Sequence, residues 1–170
     1  MDSMDSIVVV IDMQTKLLNV MSDKNLVQNS VKFLKIANEL GLKVIATEQY
    51  KKGLGDTDEQ ILNLINSKIF DKLEFSAFNA IKDEISGYKS VILIGVEAHI
   101  CVYQSARDLL KNGYSVTLVD ECVGSRNERN KELAFLNLKG VAIKSAEMIA
   151  FEMMQSAEHT KFKDISNLIK

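Results

Sequence analysis

Short apolar runs rich in β-branched residues alternate with longer amphipathic stretches along the chain, and this alternation limits the fold more than any other feature. The clearest runs are residues 7–11, 43–47, 90–94 and 115–119. Their nearly continuous apolar character is typical of strands covered on both faces, as the strands of parallel sheets are. Weaker strands are predicted near residues 69–70 and at residues 141–143.

The segments between these strands have the period of helices. Helices are predicted over residues 26–40, 56–66, 76–86, 98–112, 127–137, 145–155 and the last dozen residues. Ser76 is a candidate N-cap, and Gly41 and Gly113 are candidate helix terminators. This order predicts an α/β fold with three layers, α/β/α, and a doubly wound, mostly parallel six-stranded sheet. We expect a single domain over residues 1–170.

Composition argues against several classes of protein. A formal net charge of -2 disfavours a globally basic nucleic-acid binder and a polybasic membrane anchor. No apolar run approaches the roughly 20 residues of a membrane helix, and the acidic start of the chain does not resemble a signal peptide. Two cysteines, Cys101 and Cys122, are too few for a disulfide scaffold. We therefore expect a cytoplasmic protein with neither a nucleic acid nor a membrane as its partner.

Reactive side chains follow three of the predicted strands. Ligands of open parallel sheets bind beyond the carboxyl ends of the strands. Asp12 follows the first strand, Lys72 the third and Cys101 the fourth, which supplies a base, a cation and a nucleophile. The sequence contains no G-x-G-x-x-G or Walker A motif and no C-x-x-C pair, and its two histidines are too few for a usual zinc site. We expect a small-molecule substrate, no cofactor and no metal.

Three motifs resemble those of the isochorismatase-like hydrolase superfamily. They are Val-Val-Ile-Asp12-Met-Gln14, Lys72-Leu-Glu-Phe-Ser-Ala-Phe78 and Gly95-Val-Glu-Ala-His-Ile-Cys101-Val. The similarity continues to Ser145-Ala-Glu-Met148 and so covers nearly the whole chain. The resemblance implies a parallel-sheet α/β layer structure, in agreement with the pattern of strands and helices.

The resemblance implies a cysteine hydrolase with a triad of Asp12, Lys72 and Cys101. Cys101 would open the helix after the fourth strand, where the helix dipole and the Lys72 cation would lower the pKa of the thiol. Asp12 would take the thiol proton and later pass it to the leaving group or activate water. The expected reaction is attack on the carbonyl of a small amide or ureide, loss of ammonia or an amine, and hydrolysis of a thioester intermediate.

The resemblance also implies an unusual backbone beside the nucleophile. A cis peptide bond between Val96 and Glu97 would direct the N–H of Glu97 and the N–H of Cys101 into an oxyanion hole. We expect His99 to have a rim or structural role, and Arg126 to support the loop after the fifth strand or a subunit contact. The candidate substrate contacts are Gln14, Gln49, Tyr50 and Phe75.

Departures from the motifs of two branches of the family reduce the number of possible reactions. Members that hydrolyse the vinyl ether of isochorismate lack the cysteine, so Cys101 argues against that reaction. The nicotinamidase branch carries an Asp-x-His metal motif after the second strand, where this chain has Thr47-Glu-Gln-Tyr50. A metal-dependent nicotinamidase is therefore disfavoured. The combination of Thr47-Glu-Gln-Tyr50 with Gly95-Val-Glu-Ala-His99 looks most like the isochorismatase-domain proteins whose substrates are unsettled.

Two other functions remain open at this point. A catalytically silent isochorismatase-like module would bind a small carbonyl compound or a protein partner, and a redox sensor would oxidise Cys101 reversibly. The presence of Asp12, Lys72 and Cys101 together favours the enzyme, because a binding module need not keep all three. The resemblance further implies a homodimer or homotetramer.

Overall fold

Six parallel strands form the central sheet of the computed structural model, which describes residues 4–170. The strands are β1 (Ser6–Ile11), β2 (Lys43–Gln49), β3 (Ile69–Lys72), β4 (Ser90–Val96), β5 (Ser115–Gly124) and β6 (Ala142–Lys144). Their order across the sheet is β3-β2-β1-β4-β5-β6, and each neighbouring pair is parallel. The predicted doubly wound α/β fold is confirmed. Residues 1–3, the first part of the acidic start of the chain, lie outside the described residues.

Helices cover both faces of the sheet. They are α1 (Thr15–Leu18), α2 (Leu26–Glu39), α3 (Lys51–Leu54), α4 (Glu59–Leu62), α5 (Phe78–Ile85), α6 (Tyr103–Lys111), α7 (Glu128–Asn137), α8 (Ala146–Met154) and α9 (Phe162–Ile169). Side chains of β1 alternate between two cores: Val8 and Val10 face one, and Ile7, Val9 and Ile11 face the other. The first core contains residues of α2 and α8, and the second contains residues of α5, α6 and α7. This burial on both faces explains why the sequence of β1 is apolar without alternation.

The helix predicted over residues 56–66 is reduced to the single turn of α4. The side chain of Asn66 is drawn onto the neighbouring strand: its Oδ1 accepts from the N–H of Val44 at 2.8 Å, and its Nδ2 donates to the carbonyl of Leu42 at 2.9 Å. These contacts require the chain to leave the helical path before Asn66. The short helices α1 and α3 were not predicted, because a helix of four residues is too short for its hydrophobic period to be recognised in the sequence.

The fifth strand is longer than predicted. The apolar run ends at Val119, but β5 continues to Gly124 through an irregularity in its pairing with β4. Beyond the irregularity, Val123 pairs with Gly95 and Gly124 pairs with Val96. Residues 120–124, which lie beyond the predicted strand, therefore extend the sheet beside the end of β4.

A glycine allows β4 to approach β1 closely at the reactive edge. Gly95 has φ +122°, and a Cβ atom placed on it would lie 2.0 Å from the carbonyl oxygen of Ile11. Any other residue would both strain its own backbone and collide with the backbone of β1. The chain therefore brings the end of β4 against the residue that precedes Asp12.

We expect the Gly95→Ala substitution to lower the free energy of unfolding by about 2–5 kcal/mol, through backbone strain and overpacking together. The matched control is Gly113→Ala. Gly113 has a similar positive φ of +87°, but nothing lies within 4 Å of its added Cβ, so only about 1–2 kcal/mol is expected there. Urea denaturation measures both. Equal losses at the two glycines would show that the approach to Ile11 is not the constraint.

Candidate active site

A buried ion pair lies at the carboxyl edge of the sheet. Lys72 Nζ donates to Asp12 Oδ2 at 2.7 Å, and the two side chains are only 2% and 0% exposed. The hydroxyl of Thr47 donates to the other carboxylate oxygen of Asp12, also at 2.7 Å. Strand order brings these residues together, since Asp12 follows β1 while Thr47 and Lys72 belong to β2 and β3. Both oxygens of the Asp12 carboxylate are therefore held by donors, as a buried charge requires.

The ammonium of Lys72 is surrounded by acceptors. Besides Asp12, its Nζ donates to Oε1 of Gln49 at 2.6 Å and to the carbonyls of Phe75 at 3.0 Å and Glu74 at 3.2 Å. Four acceptors share the three protons of an ammonium group. The loop after β3 thus folds over the cation and holds it in one position.

Cys101 completes a three-residue cluster. It lies in a π-helical turn, Ala98–Val102, directly after β4, and is 6% exposed. Its thiol interacts with the carboxylate of Asp12 and with the ammonium of Lys72. The structure therefore brings together the three residues that the sequence singled out as base, cation and nucleophile.

The pKa of the Cys101 thiol is raised, whereas a lowered pKa was predicted. Burial, first, and the negative charge of Asp12 together raise the pKa of Cys101 to about 12, and Lys72 only partly opposes this rise. The prediction is wrong for the free protein because the loss of hydration disfavours the thiolate more than the nearby cation favours it. Cys101 consequently rests as a neutral thiol beside a carboxylate that can accept its proton.

Ser105 connects the turn that contains Cys101 to the loop that folds over Lys72. Its hydroxyl donates to the carbonyl of Cys101 at 2.6 Å and accepts from the N–H of Ala77 at 2.8 Å. Sequence reasoning missed this residue, although a serine four positions after Cys101 in a helix is a usual partner for that carbonyl. Ser105 is buried and does not line the cavity beside Cys101, so it positions the site from behind.

A cavity of about 150 Å³ opens beside Cys101. Its wall is formed by Leu17, Gln49, Leu54, Phe75, Val96, Glu97, Ile100 and Cys101. Two of the four predicted substrate contacts, Gln49 and Phe75, therefore line this cavity. Their role in substrate binding stays a prediction.

Gln14, another predicted contact, lies behind the cavity. Its side chain is completely buried, and its Nε2 donates to the carbonyls of Gln49 at 3.0 Å and Gly55 at 2.7 Å. Its Oε1 accepts from the N–H of Gln49 at 2.8 Å. The carboxamide thus fastens the segment after β1 to the end of β2 and is placed to position the site.

Tyr50, the fourth predicted contact, lines a neighbouring depression of about 370 Å³. The other residues of that depression are Lys51, Lys52, Asp71, Lys72 and Leu73. The ring of Tyr50 lies over Gly53, where an added Cβ would be only 2.3 Å from the ring. Tyr50 does not line the cavity beside Cys101.

The peptide bond between Val96 and Glu97 is cis, as the resemblance implies. The carboxylate of Glu97 accepts from the backbone N–H and from Nε of Arg126, each at 3.0 Å. The Nδ1 atom of His99 lies 3.0 Å from the hydroxyl of Ser125. Arg126 and His99 therefore join the end of β4 to the end of β5, whereas the oxyanion hole stays a prediction.

The described residues contain neither a cluster of metal-ligating side chains nor a membrane-spanning helix. Within residues 4–170, no three side chains of His, Cys, Asp or Glu converge as a metal site would require. The same part of the chain contains no helix that is both long and apolar enough to cross a membrane. Metal independence, a cytoplasmic location and a homodimer or homotetramer stay predictions.

Comparison with known proteins identifies relatives over nearly the whole chain. The isochorismatase domain model matches residues 6–148. Isochorismatase family protein 1A of Dictyostelium discoideum is 36% identical, covering 94% of this chain and 84% of that protein. Isochorismatase domain-containing protein 2 of Bos taurus is 32% identical, covering 97% and 83%. The solved structure of MAR1 ribonuclease from Caenorhabditis elegans superposes with a TM-score of 0.93 at 31% identity, covering 99% of this chain and 91% of that one.

Proposed function

Because the chain belongs to the isochorismatase family, we propose that it is a cysteine hydrolase that cleaves the C–N bond of a small amide or ureide. One observation carries the proposal: the Cys101 thiol, in the wall of a cavity, lies within electrostatic interaction range of the buried pair of Asp12 and Lys72. A thiol, an adjacent base and a fixed cation are the groups that covalent acyl transfer uses.

The raised pKa of Cys101 determines how the first step proceeds. The proton moves from sulfur to the carboxylate of Asp12 as sulfur attacks the carbonyl carbon, because a preformed thiolate is disfavoured at neutral pH. The carbonyl electrons move to oxygen, where the backbone N–H groups of Glu97 and Cys101 serve as donors. Lys72 keeps Asp12 in place and offsets the negative charge that develops beside it.

The second half of the reaction returns the site to its starting state. Asp12 gives its proton to the leaving nitrogen, the C–N bond breaks, and ammonia or an amine departs, leaving a thioester on Cys101. A water molecule then loses a proton to Asp12 and attacks the thioester carbon. The S–C bond breaks, the carboxylic acid leaves, and the proton returns to sulfur.

The name of the C. elegans neighbour makes RNA hydrolysis a second candidate function. The cavity beside Cys101 argues against it. A cavity of about 150 Å³ has the size that accepts benzene, which is much smaller than a nucleotide. Its described lining also contains no Lys or Arg to hold a phosphate. RNA therefore serves as the comparison substrate.

The proposal is tested by pairing Cys101→Ala with Cys122→Ala. Cys122 is completely buried in the opposite core and does not line the cavity, so its loss leaves the site intact. Ammonia release from a panel of small amides and ureides is expected from the parent protein and from Cys122→Ala, but only at background from Cys101→Ala. Denaturing mass spectrometry should find the acyl group on Cys101 during turnover.

Three results would contradict this function. Ammonia release that survives in Cys101→Ala excludes the thiol as nucleophile. Binding of amides without any turnover by the parent protein favours the catalytically silent module instead. Cleavage of RNA that depends on Cys101, without amide hydrolysis, favours the ribonuclease.

A further inference from the structure

The wall of the cavity beside Cys101 is mostly apolar. Leu17 and Leu54 come from the short helices α1 and α3, Phe75 comes from the loop after β3, and Ile100 comes from the π-helical turn. Val96, at the end of β4, completes this apolar lining. These side chains offer no hydrogen-bond donor or acceptor. A polar group placed against them would lose its hydration without compensation.

The polar side chains in the wall already have protein partners. The Oε1 atom of Gln49 accepts from Lys72 at 2.6 Å, and its Nε2 donates to the carbonyl of Leu73 at 2.8 Å. The carboxylate of Glu97 is occupied by the backbone N–H and Nε of Arg126. Ordered polar contacts to a substituent on the acyl group would have to displace these bonds.

The charges around the cavity disfavour an ionised acyl group. The described lining includes Glu97, whose carboxylate is paired with Arg126, and neither a Lys nor an Arg. The nearby ammonium of Lys72 is neutralised by Asp12 and enclosed by three further acceptors. A carboxylate on the acyl group would therefore be desolvated without a cation in the described lining to pair with it.

The volume of the cavity beside Cys101 limits the size of the acyl group that it can enclose. A cavity of about 150 Å³ lined by leucine, isoleucine and phenylalanine side chains accepts a molecule of the size of benzene, about six non-hydrogen atoms. We infer that, on the basis of the proposed function, the site accepts a small, uncharged aliphatic acyl group, so that its substrates are short neutral amides rather than ureides or amides that carry a carboxylate. A ureide would place an additional N–H against the apolar wall.

A pair of substrates with equally large, equally branched acyl groups tests the charge preference. These are 3-methylbutanamide, which is neutral, and malonamate, in which a carboxylate replaces the isopropyl group. We expect kcat/KM to be at least about 100-fold higher for 3-methylbutanamide, because only malonamate must bury an unpaired charge. Isobutylurea, which adds an N–H to the acyl side, should bind about tenfold or more weakly than 3-methylbutanamide, measured as a competitive inhibitor so that the lower intrinsic reactivity of a urea does not contribute.

A cavity variant tests the size limit. Leu54→Ala should raise kcat/KM for the bulky neutral amide 3-phenylpropanamide by about tenfold or more, because it removes part of the wall. The matched control is Leu62→Ala on α4, a partly exposed leucine that does not line the cavity, and it should change nothing. Equal effects of the two substitutions would overturn the assignment of Leu54 to the acyl pocket.

The outcomes separate this inference from the proposed function. Hydrolysis that depends on Cys101 but is as fast with malonamate as with 3-methylbutanamide would overturn the inference and leave the proposed function standing. Failure of Cys101→Ala to reduce hydrolysis would overturn both.

A measurement without turnover adds an independent criterion. The ratio of the rates at which iodoacetamide and iodoacetate modify Cys101 should be at least about tenfold larger in the folded than in the unfolded protein. An equal ratio in the two states would show that the folded site does not discriminate against a negative charge, and would overturn the inference.

Discussion

Replacement of Asp12 by asparagine is expected to lower amide hydrolysis by about 10²–10⁴-fold while making Cys101 more reactive toward iodoacetamide. The negative charge of Asp12 raises the pKa of the thiol, so its removal increases the thiolate fraction at any pH below that pKa. The Lys72 cation, which lowers the pKa, stays in place because it retains three other acceptors. Loss of the base slows amide hydrolysis, whereas the larger thiolate fraction speeds alkylation of Cys101. The two rates should therefore change in opposite directions.

The pH dependence of alkylation tests the direction in which Asp12 shifts the pKa of Cys101. In the parent protein the rate at Cys101 should rise about tenfold per pH unit toward a pKa of about 12, since only the thiolate reacts. In Asp12→Asn the same rise should begin at lower pH, with a rate at pH 8 about tenfold or more above that of the parent. Peptide mapping by mass spectrometry separates Cys101 from Cys122.

Asp5→Asn is the matched control for Asp12→Asn. Asp5 precedes β1 at the opposite end of the strand, pairs with Lys89, and is 43% exposed. It should alter neither hydrolysis nor alkylation. If Asp12→Asn slows alkylation, or keeps full hydrolytic activity, Asp12 is not the base that faces the thiol.

Replacement of Lys72 by methionine is expected to lower the free energy of unfolding by about 3–5 kcal/mol, because it leaves the completely buried carboxylate of Asp12 without its cation. The double variant Asp12→Asn/Lys72→Met should recover part of this loss, since no isolated charge remains. Both variants should lose amide hydrolysis. Urea denaturation at neutral pH gives the free energies.

An exposed ion pair provides the comparison. Lys161 and Glu39 lie 2.9 Å apart with side chains 44% and 41% exposed, so Lys161→Met should lower the free energy of unfolding far less than Lys72→Met does. If Lys72→Met lowers the free energy of unfolding no more than Lys161→Met does, burial of the ion pair does not govern its contribution to stability. If the double variant is no more stable than Lys72→Met, the isolated carboxylate is not the cause of the loss.

The elements predicted best from sequence are those whose signal is local. The cores of β1, β2 and β4 are uninterrupted apolar runs, because each is buried on both faces, and such a run can be recognised without knowing its neighbours. The extension of β5 to Gly124 and the early end of α4 depend on partners far along the chain, namely β4 and the start of β2. The expectation of one domain over residues 1–170 stays a prediction.

The candidate site shows the same division. The sequence by itself determined the doubly wound fold, and it pointed to Asp12, Lys72 and Cys101 because residues after parallel strands share one edge and their motifs resemble those of a known family. Only the tertiary structure decided that Ser105 bonds to the carbonyl of Cys101 and that Gln14 is buried outside the wall of the cavity. It alone decided that the thiol has a raised pKa. Hydration, charge and contact at one atom depend on side chains that are distant along the chain, and their distances exist only once the sheet is assembled.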